Sequence, residues 1–169
     1  MLTRNYYNTL LSLLARSTIP NGKKNTSGVI TNAGVNIDWI FSTIGTPTNI
    51  ALSNASSGIV FGTGSTSPTI DDYKLESIIT GGLTGTFKYS INNSTGIIKI
   101  ILTNTSDNNI TISEMGWQFT NYCSYSSSSS SGIALMDRTV LDTPVTIEAG
   151  GVGVVEYKLD IGELGGAWT

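Results

Sequence analysis

Carboxylates are the side chains through which this sequence could do chemistry, because it contains no histidine. Without imidazole the commonest general base, the commonest metal ligand and the middle member of Ser or Cys triads are missing. Glu114 is the acid with the most telling setting. It follows Ile112 by two residues and Ile110 by four, on one side of a strand whose other side is Thr111 and Ser113, so the alternation turns it inward. A carboxylate facing a core is costly unless paired, and Arg138, alternating with Met136 and Val140 on a later strand, is its natural partner. The expectation is a structural pair, Glu114 with Arg138. The competing chemistry is a glycosidase-type pair of Glu114 with Glu148 or Glu156, which nothing in the spacing favours.

Three further acids, Asp71, Asp72 and Glu76, could supply oxygen ligands to calcium, but their spacing is not that of an EF-hand loop. Neither a metal nor a cofactor is expected. The glycines of Gly58-Ile59-Val60-Phe61-Gly62-Thr63-Gly64-Ser65 lack the Lys-Ser/Thr ending of a P-loop, and no helix pattern follows to aim its N-terminus at a phosphate. A strand leaving through a glycine turn is the simpler account. Trp117, Tyr122 and Tyr125 are candidate ligand contacts, since exposed aromatics beside a loop can stack on sugar rings; packing in a core or interface is the plainer reading. The single cysteine, Cys123, has no internal disulfide partner.

The elements that must position these residues are nearly all strands. Tyr6, Leu10, Leu13 and Leu14, flanked by Tyr7 and Leu11, recur at helical spacing, which predicts one amphipathic helix over Leu2 to Arg16, ending before the turn signal Pro20-Asn21-Gly22. Such a helix is marginal alone, so its apolar face needs a partner, either its own domain or a neighbouring subunit, and it is expected to be an assembly element. Beyond Gly28 the period becomes two. Val35 to Phe41, Phe87 to Ile91 and Val155 to Ile161 each alternate apolar with polar, as half-buried strands do. Ile97 to Leu102 is apolar on both faces apart from Lys99, which predicts either a central strand or one covered by a second subunit, and the most buried stretch. Turns are expected at 92–96, 104–109, 142–144 and 149–151. The serine run from Ser124 to Gly132 is expected to be a mobile loop, having no apolar area to bury.

Composition narrows the function classes. The chain has 169 residues, a net charge of −3 and only 12% charged residues, so it has room for one ordinary core and no basic footprint for nucleic acid. No apolar run approaches the roughly 20 residues of a membrane-spanning helix, and no signal peptide is read. Asn-x-Ser/Thr triplets, including those at Asn54, Asn93 and Asn109, arise by chance in a chain this rich in Asn, Ser and Thr.

From about residue 58 to 161 a series of motifs begins with Gly62-Thr63-Gly64-Ser65-Thr66-Ser67-Pro68-Thr69, with Asp72 and Leu75, then Ile112-Ser113-Glu114-Met115-Gly116. Arg138-Thr139-Val140-Leu141, Pro144-Val145-Thr146-Ile147, Gly150 and Val155-Glu156-Tyr157 complete it. Their order resembles that of small β-sandwich proteins of tailed-bacteriophage virions. Trp117 stands where a leucine-like residue is expected, and the serine run looks like a local insertion.

The resulting expectation is an all-β, antiparallel β-sandwich of jelly-roll type at 23–169, preceded by an N-terminal helical assembly segment at 1–22. By resemblance it is a non-enzymatic structural subunit of the virion, in the capsid, neck or tail, assembled in the bacterial host cytoplasm. Its partners would be copies of itself and other virion proteins. The alternative is a receptor or carbohydrate-binding module of a tail or head fibre, with a host surface glycan as ligand.

Overall fold

A computed structural model describes residues 1–15, 19–33, 50, 52–53, 58–92, 95–125 and 128–160. Among these described residues the elements follow in the order α1 (Arg4–Ala15), β1 (Ile19–Lys24), β2 (Ile30–Ala33), β3 (Gly58–Gly62), β4 (Leu83–Asn92), β5 (Thr95–Asn104), β6 (Ile110–Tyr125), β7 (Ser128–Ile147) and β8 (Val152–Asp160). They form antiparallel sheets ordered β1-β2, β3-β6-β7 and β4-β5-β8. The strand expected at Val35 to Phe41 lies outside the described residues.

The chain divides into two compact units, Met1–Gly81 with Thr111–Val145, and Gly82–Ile110 with Thr146–Thr169. This division falls elsewhere than residue 22. Helix α1 shares its unit with β1, β2, β3 and most of β6 and β7. Residues 1–3 run along the outer side of β7: Leu2 bridges to Asp137, the Thr3 N–H donates to the Met136 carbonyl at 3.0 Å and the Arg138 N–H to the Met1 carbonyl at 3.0 Å. The Thr3 hydroxyl donates to the Leu135 carbonyl at 2.6 Å. Asn5, almost fully buried, donates to the Lys24 carbonyl and accepts from the Lys24 N–H, both at 2.8 Å. The start of the helix is therefore docked within its own unit.

In this first unit β3 is buried along its whole length. Its five residues pair with Glu114 to Gln118 of β6, Gly62 opposite Glu114. Val60, Leu75 and Leu135 form one apolar cluster with Ile78 against it; Ala134 and Met136 form another, covered by Tyr6 and Trp117.

In the second unit β5 is central, as its apolar sequence implies, paired in unbroken register with β4 on one side and β8 on the other. Ile100, Leu102, Val155 and Tyr157 are buried, while Lys99 is exposed and Ile98 and Ile101 are intermediate. Ile97 to Leu102 is thus less buried than β3 at its described positions, because β5 keeps one face towards solvent. Asn104 is a buried hub of this unit. Its amide nitrogen donates to the carbonyls of Asn108 (2.7 Å), Ile147 (3.0 Å) and Glu148 (3.1 Å), and its oxygen accepts from the Ser106 N–H and hydroxyl.

Three sequence expectations are corrected. The serine run is not a loop: β6 extends to Tyr125 and β7 starts at Ser128, so all of the run but 126–127, which lie outside the described residues, is strand. Ladder hydrogen bonds come from the backbone whatever the side chain, so serines can continue the two long neighbouring strands β6 and β7. Asp142-Thr143-Pro144 is exposed strand within β7, where an edge position tolerates proline's missing N–H. Pro20-Asn21-Gly22 is strand as well; the register slips between Ile19 and Lys23, and Asn21 takes a φ of 52°. The turn signal is realised as an irregularity within a strand.

Candidate functional site

Between β3 and the short bridge from Gly62 to Ile78, residues 63–77 fold back as a strap. The Thr63 N–H donates to the Ser77 carbonyl at 2.8 Å, and the Ile79 N–H to the Phe61 carbonyl at 2.8 Å. The strap contains no regular strand or helix, so its backbone groups need partners from elsewhere. Glu114 supplies them. Its carboxylate is fully buried and accepts from four donors: the N–H groups of Gly64 (3.1 Å), Glu76 (3.2 Å) and Ser77 (2.8 Å), and Nε of Arg138 (2.8 Å).

Arg138 completes the arrangement. Its side chain is only 4% exposed, and beyond Glu114 its Nη1 donates to Asp72 Oδ2 at 2.9 Å and its Nη2 reaches Glu76 Oε2 at 3.5 Å. Asp72 also accepts from the Thr69 N–H (3.0 Å) and hydroxyl (2.8 Å), and Glu76 from the N–H groups of Ser65 (3.0 Å) and Thr66 (2.9 Å). One guanidinium thus ties three carboxylates, and the carboxylates tie the strap's backbone. The glycines at 62 and 64 make room for this: a Cβ on either would lie 2.5 Å from Glu114 Oε1. Those glycines cradle a carboxylate of the chain itself.

The electrostatics follow the same geometry. Burial weighs against ionising Asp72, yet the Thr69 N–H and the Arg138 guanidinium outweigh it and hold the carboxyl below its usual range. The Thr66 N–H, together with Ser65 and Arg138, holds Glu76 low. For Arg138 burial opposes the charge, and the hydrogen bonds to Asp72 and Glu114 more than compensate, so its pKa is raised. Asp72, Glu76 and Arg138 thus stay ionised at neutral pH.

Glu114 and Arg138 are therefore in contact. The acids read as calcium ligands, Asp72 and Glu76, serve Arg138, and Asp71 accepts from Arg4 Nε at 2.7 Å on the surface. Among the described residues no group of three or more His, Cys, Asp or Glu side chains is placed to hold a metal ion. Glu148 and Glu156 belong to the other unit, whereas every partner of Glu114 lies in the first. Trp117 is half-buried against Ala134 and Met136; the side chains of Tyr122 and Tyr125 lie outside the described residues. Of the residues expected to form the assembly face, Tyr6 turns inward, and the side chains of Leu10, Leu13 and Leu14 lie outside the described residues. Among the described side chains of α1, the exposed large apolar ones are Tyr7 and Leu11.

Sequence reasoning missed the roles of Asp72 and Glu76 towards Arg138, and the hubs at Asn5 and Asn104. Asn104-Thr105-Ser106 carried a usable signal, since an Asn whose oxygen caps the N–H two residues on forms an Asx-turn. No local pattern marks Asn5, whose partners lie 19 and 130 residues away. No helix among the described residues is long and apolar enough to cross a membrane. Comparisons with protein-family models, with curated proteins and with solved structures found no match to the chain.

Proposed function

We propose that the chain is a non-enzymatic structural subunit of a tailed-phage virion, incorporated in multiple copies through protein–protein contacts and built on a β-sandwich. The observation that carries this reading is the closure of the Glu114–Arg138 network. A general acid or base needs a carboxyl that can reach a substrate and exchange a proton; Glu114 has no exposed surface and four donors from its own chain. The most distinctive polar cluster of the sequence thus holds a strap to a sheet, which is a task of shape. Exposed apolar side chains on separate elements, Tyr7 and Leu11 of α1 and Val152 and Val154 of β8, suit a subunit that meets neighbours. The virion assignment itself rests on the order of motifs from residue 58 to 161. The alternation of buried and exposed residues in β4, β5 and β8 suits a sheet covered on one side, as the layers of a sandwich are.

Quantitative mass spectrometry of purified virions of the phage that encodes the chain tests the proposal. Recovery at many copies per particle is expected, and absence from virions refutes it.

A further inference from the structure

The outer face of the β4-β5-β8 sheet carries a row of charges that is unbalanced within one molecule. Lys88 on β4 stands directly opposite Lys99 on β5, and Lys99 stands opposite Glu156 on β8. All three side chains are exposed, and Lys99 Nζ lies 3.9 Å from Glu156 Oε1. Like charges directly across a sheet are unfavourable, so Lys88 weakens the fold at that position. The row therefore reads cation, cation, anion from one margin of the sheet to the other, with the odd cation on the β4 edge and the anion on the β8 edge.

Both margins are suited to pairing. β4 has ten residues and β8 nine, their registers with β5 run without a slip, and neither contains proline. Each presents a row of backbone N–H and C=O groups on its outer side, with no further described strand beside it. On β8 that margin also exposes Val152 and Val154, 65% and 50% accessible.

We infer that β8 of one molecule pairs with β4 of a second copy, side by side, extending the sheet across the joint. The inference rests on the multicopy reading above and names its contact. β4 and β8 are each antiparallel to β5 and so parallel to one another. A copy shifted sideways with the same face outward brings its β4 alongside β8 in parallel, as mixed sheets allow. The rows then continue in register. Glu156 meets Lys88 of the second copy, Val154 meets its Thr86 and Val152 its Thr84; on the inner face Val155 meets its Phe87. A copy turned over to pair antiparallel would put Glu156 and Lys88 on opposite faces. The contact is head-to-tail, so it repeats into a ring or a file of subunits.

Sedimentation of the full-length chain at low ionic strength tests this, using Lys88→Glu, Glu156→Lys, the double variant and an equimolar mixture of the two single variants. Either single reversal should weaken self-association about tenfold, as expected when about 1.4 kcal/mol is lost at each joint. The double variant and the mixture should both recover, because each restores opposite charges across the joint. Lys88→Glu should leave the urea midpoint of the monomer unchanged or higher, since it removes the repulsion from Lys99. Association indifferent to Lys88→Glu overturns the joint while leaving the multicopy reading in place, and sensitivity to Glu156→Lys alone indicates β8 pairing with itself, which also overturns it. So does a wild-type chain that stays monomeric at every concentration. Absence from virions, by contrast, refutes the multicopy reading whatever sedimentation shows.

Discussion

Arg138 touches three carboxylates and Glu114 accepts from four donors, so neither can be removed without stranding the rest. Breaking a buried ion pair by deleting one partner costs about 3 to 5 kcal/mol, because the survivor keeps its desolvation penalty. Arg138→Met and Glu114→Gln should each destabilise on that scale. The double variant should fall well short of their sum, as coupled groups do. Urea unfolding of the four proteins gives the cycle, and additive losses below about 1 kcal/mol each would show two independent charges. Gly64 lies under the same carboxylate: Gly64→Ala places a methyl 2.5 Å from Glu114 Oε1 and 2.6 Å from Glu76 Cβ, and should cost about 1 to 3 kcal/mol by overpacking. Asn104 offers a test in the other unit. Asn104→Asp sets a carboxylate against the three carbonyls that the amide now serves, so by calorimetry it should melt below Asn104→Ala, which leaves those carbonyls unpaired without adding charge. The inward turn of Glu114 and its preference for Arg138 were legible from alternation. The other acids at Arg138 were not, since 66 and 62 residues separate them from it.

At the scale of elements, the strap 63–77 is held chiefly by charge. Asp72 and Glu76 have folded pKa values below their unfolded ones, so they stabilise the strap above the ordinary carboxylate range, and that stability is lost as pH falls through their lowered values. The urea midpoint should stay level from neutral pH down to about 5 and drop below about 4, and Asp72→Asn should flatten that acid limb. A midpoint independent of pH would remove the carboxylates from the account of the strap. In hydrogen exchange the N–H groups of Gly64, Glu76 and Ser77 should lose protection in Arg138→Met before the β3–β6 ladder does. The helix shows how an element's partner escapes the sequence. Its amphipathic stripe predicted a face to be covered and left the covering surface open. Bonds from Thr3 and Asn5 to β7 and β1, with Tyr6 against Ala134 and Met136, dock the start of the helix within its own unit. Deleting residues 1–22 removes those bonds and part of the β1–β2 pair, so it should destabilise the first unit rather than yield an intact body lacking only an assembly arm. Near-ultraviolet circular dichroism of the truncated chain checks this.

For the molecule as a whole, the contacts that close the first unit join residues far apart in the chain, such as Thr3 with Leu135 and Gly64 with Glu114. Loop closure must precede such contacts, so refolding should be in the millisecond-to-second range typical of non-local β topologies, as stopped-flow tryptophan fluorescence would follow. The sequence by itself determined the β-rich class, the N-terminal helix and the strands on either side of 92–96, and narrowed β5 to a central or a subunit-covered strand. These depend on periodicities and turn residues within about ten positions, where side-chain direction follows directly from backbone geometry. Only the tertiary structure decided that the serine run is strand, that the two glycines shelter a carboxylate, and that Asp72 and Glu76 answer Arg138. It alone placed Lys88 and Glu156 on one row at opposite margins of a sheet. The reason is physical: desolvation makes a buried charge seek whatever opposite charge the fold brings near, and strand pairing brings near residues whose spacing along the chain carries no periodic mark.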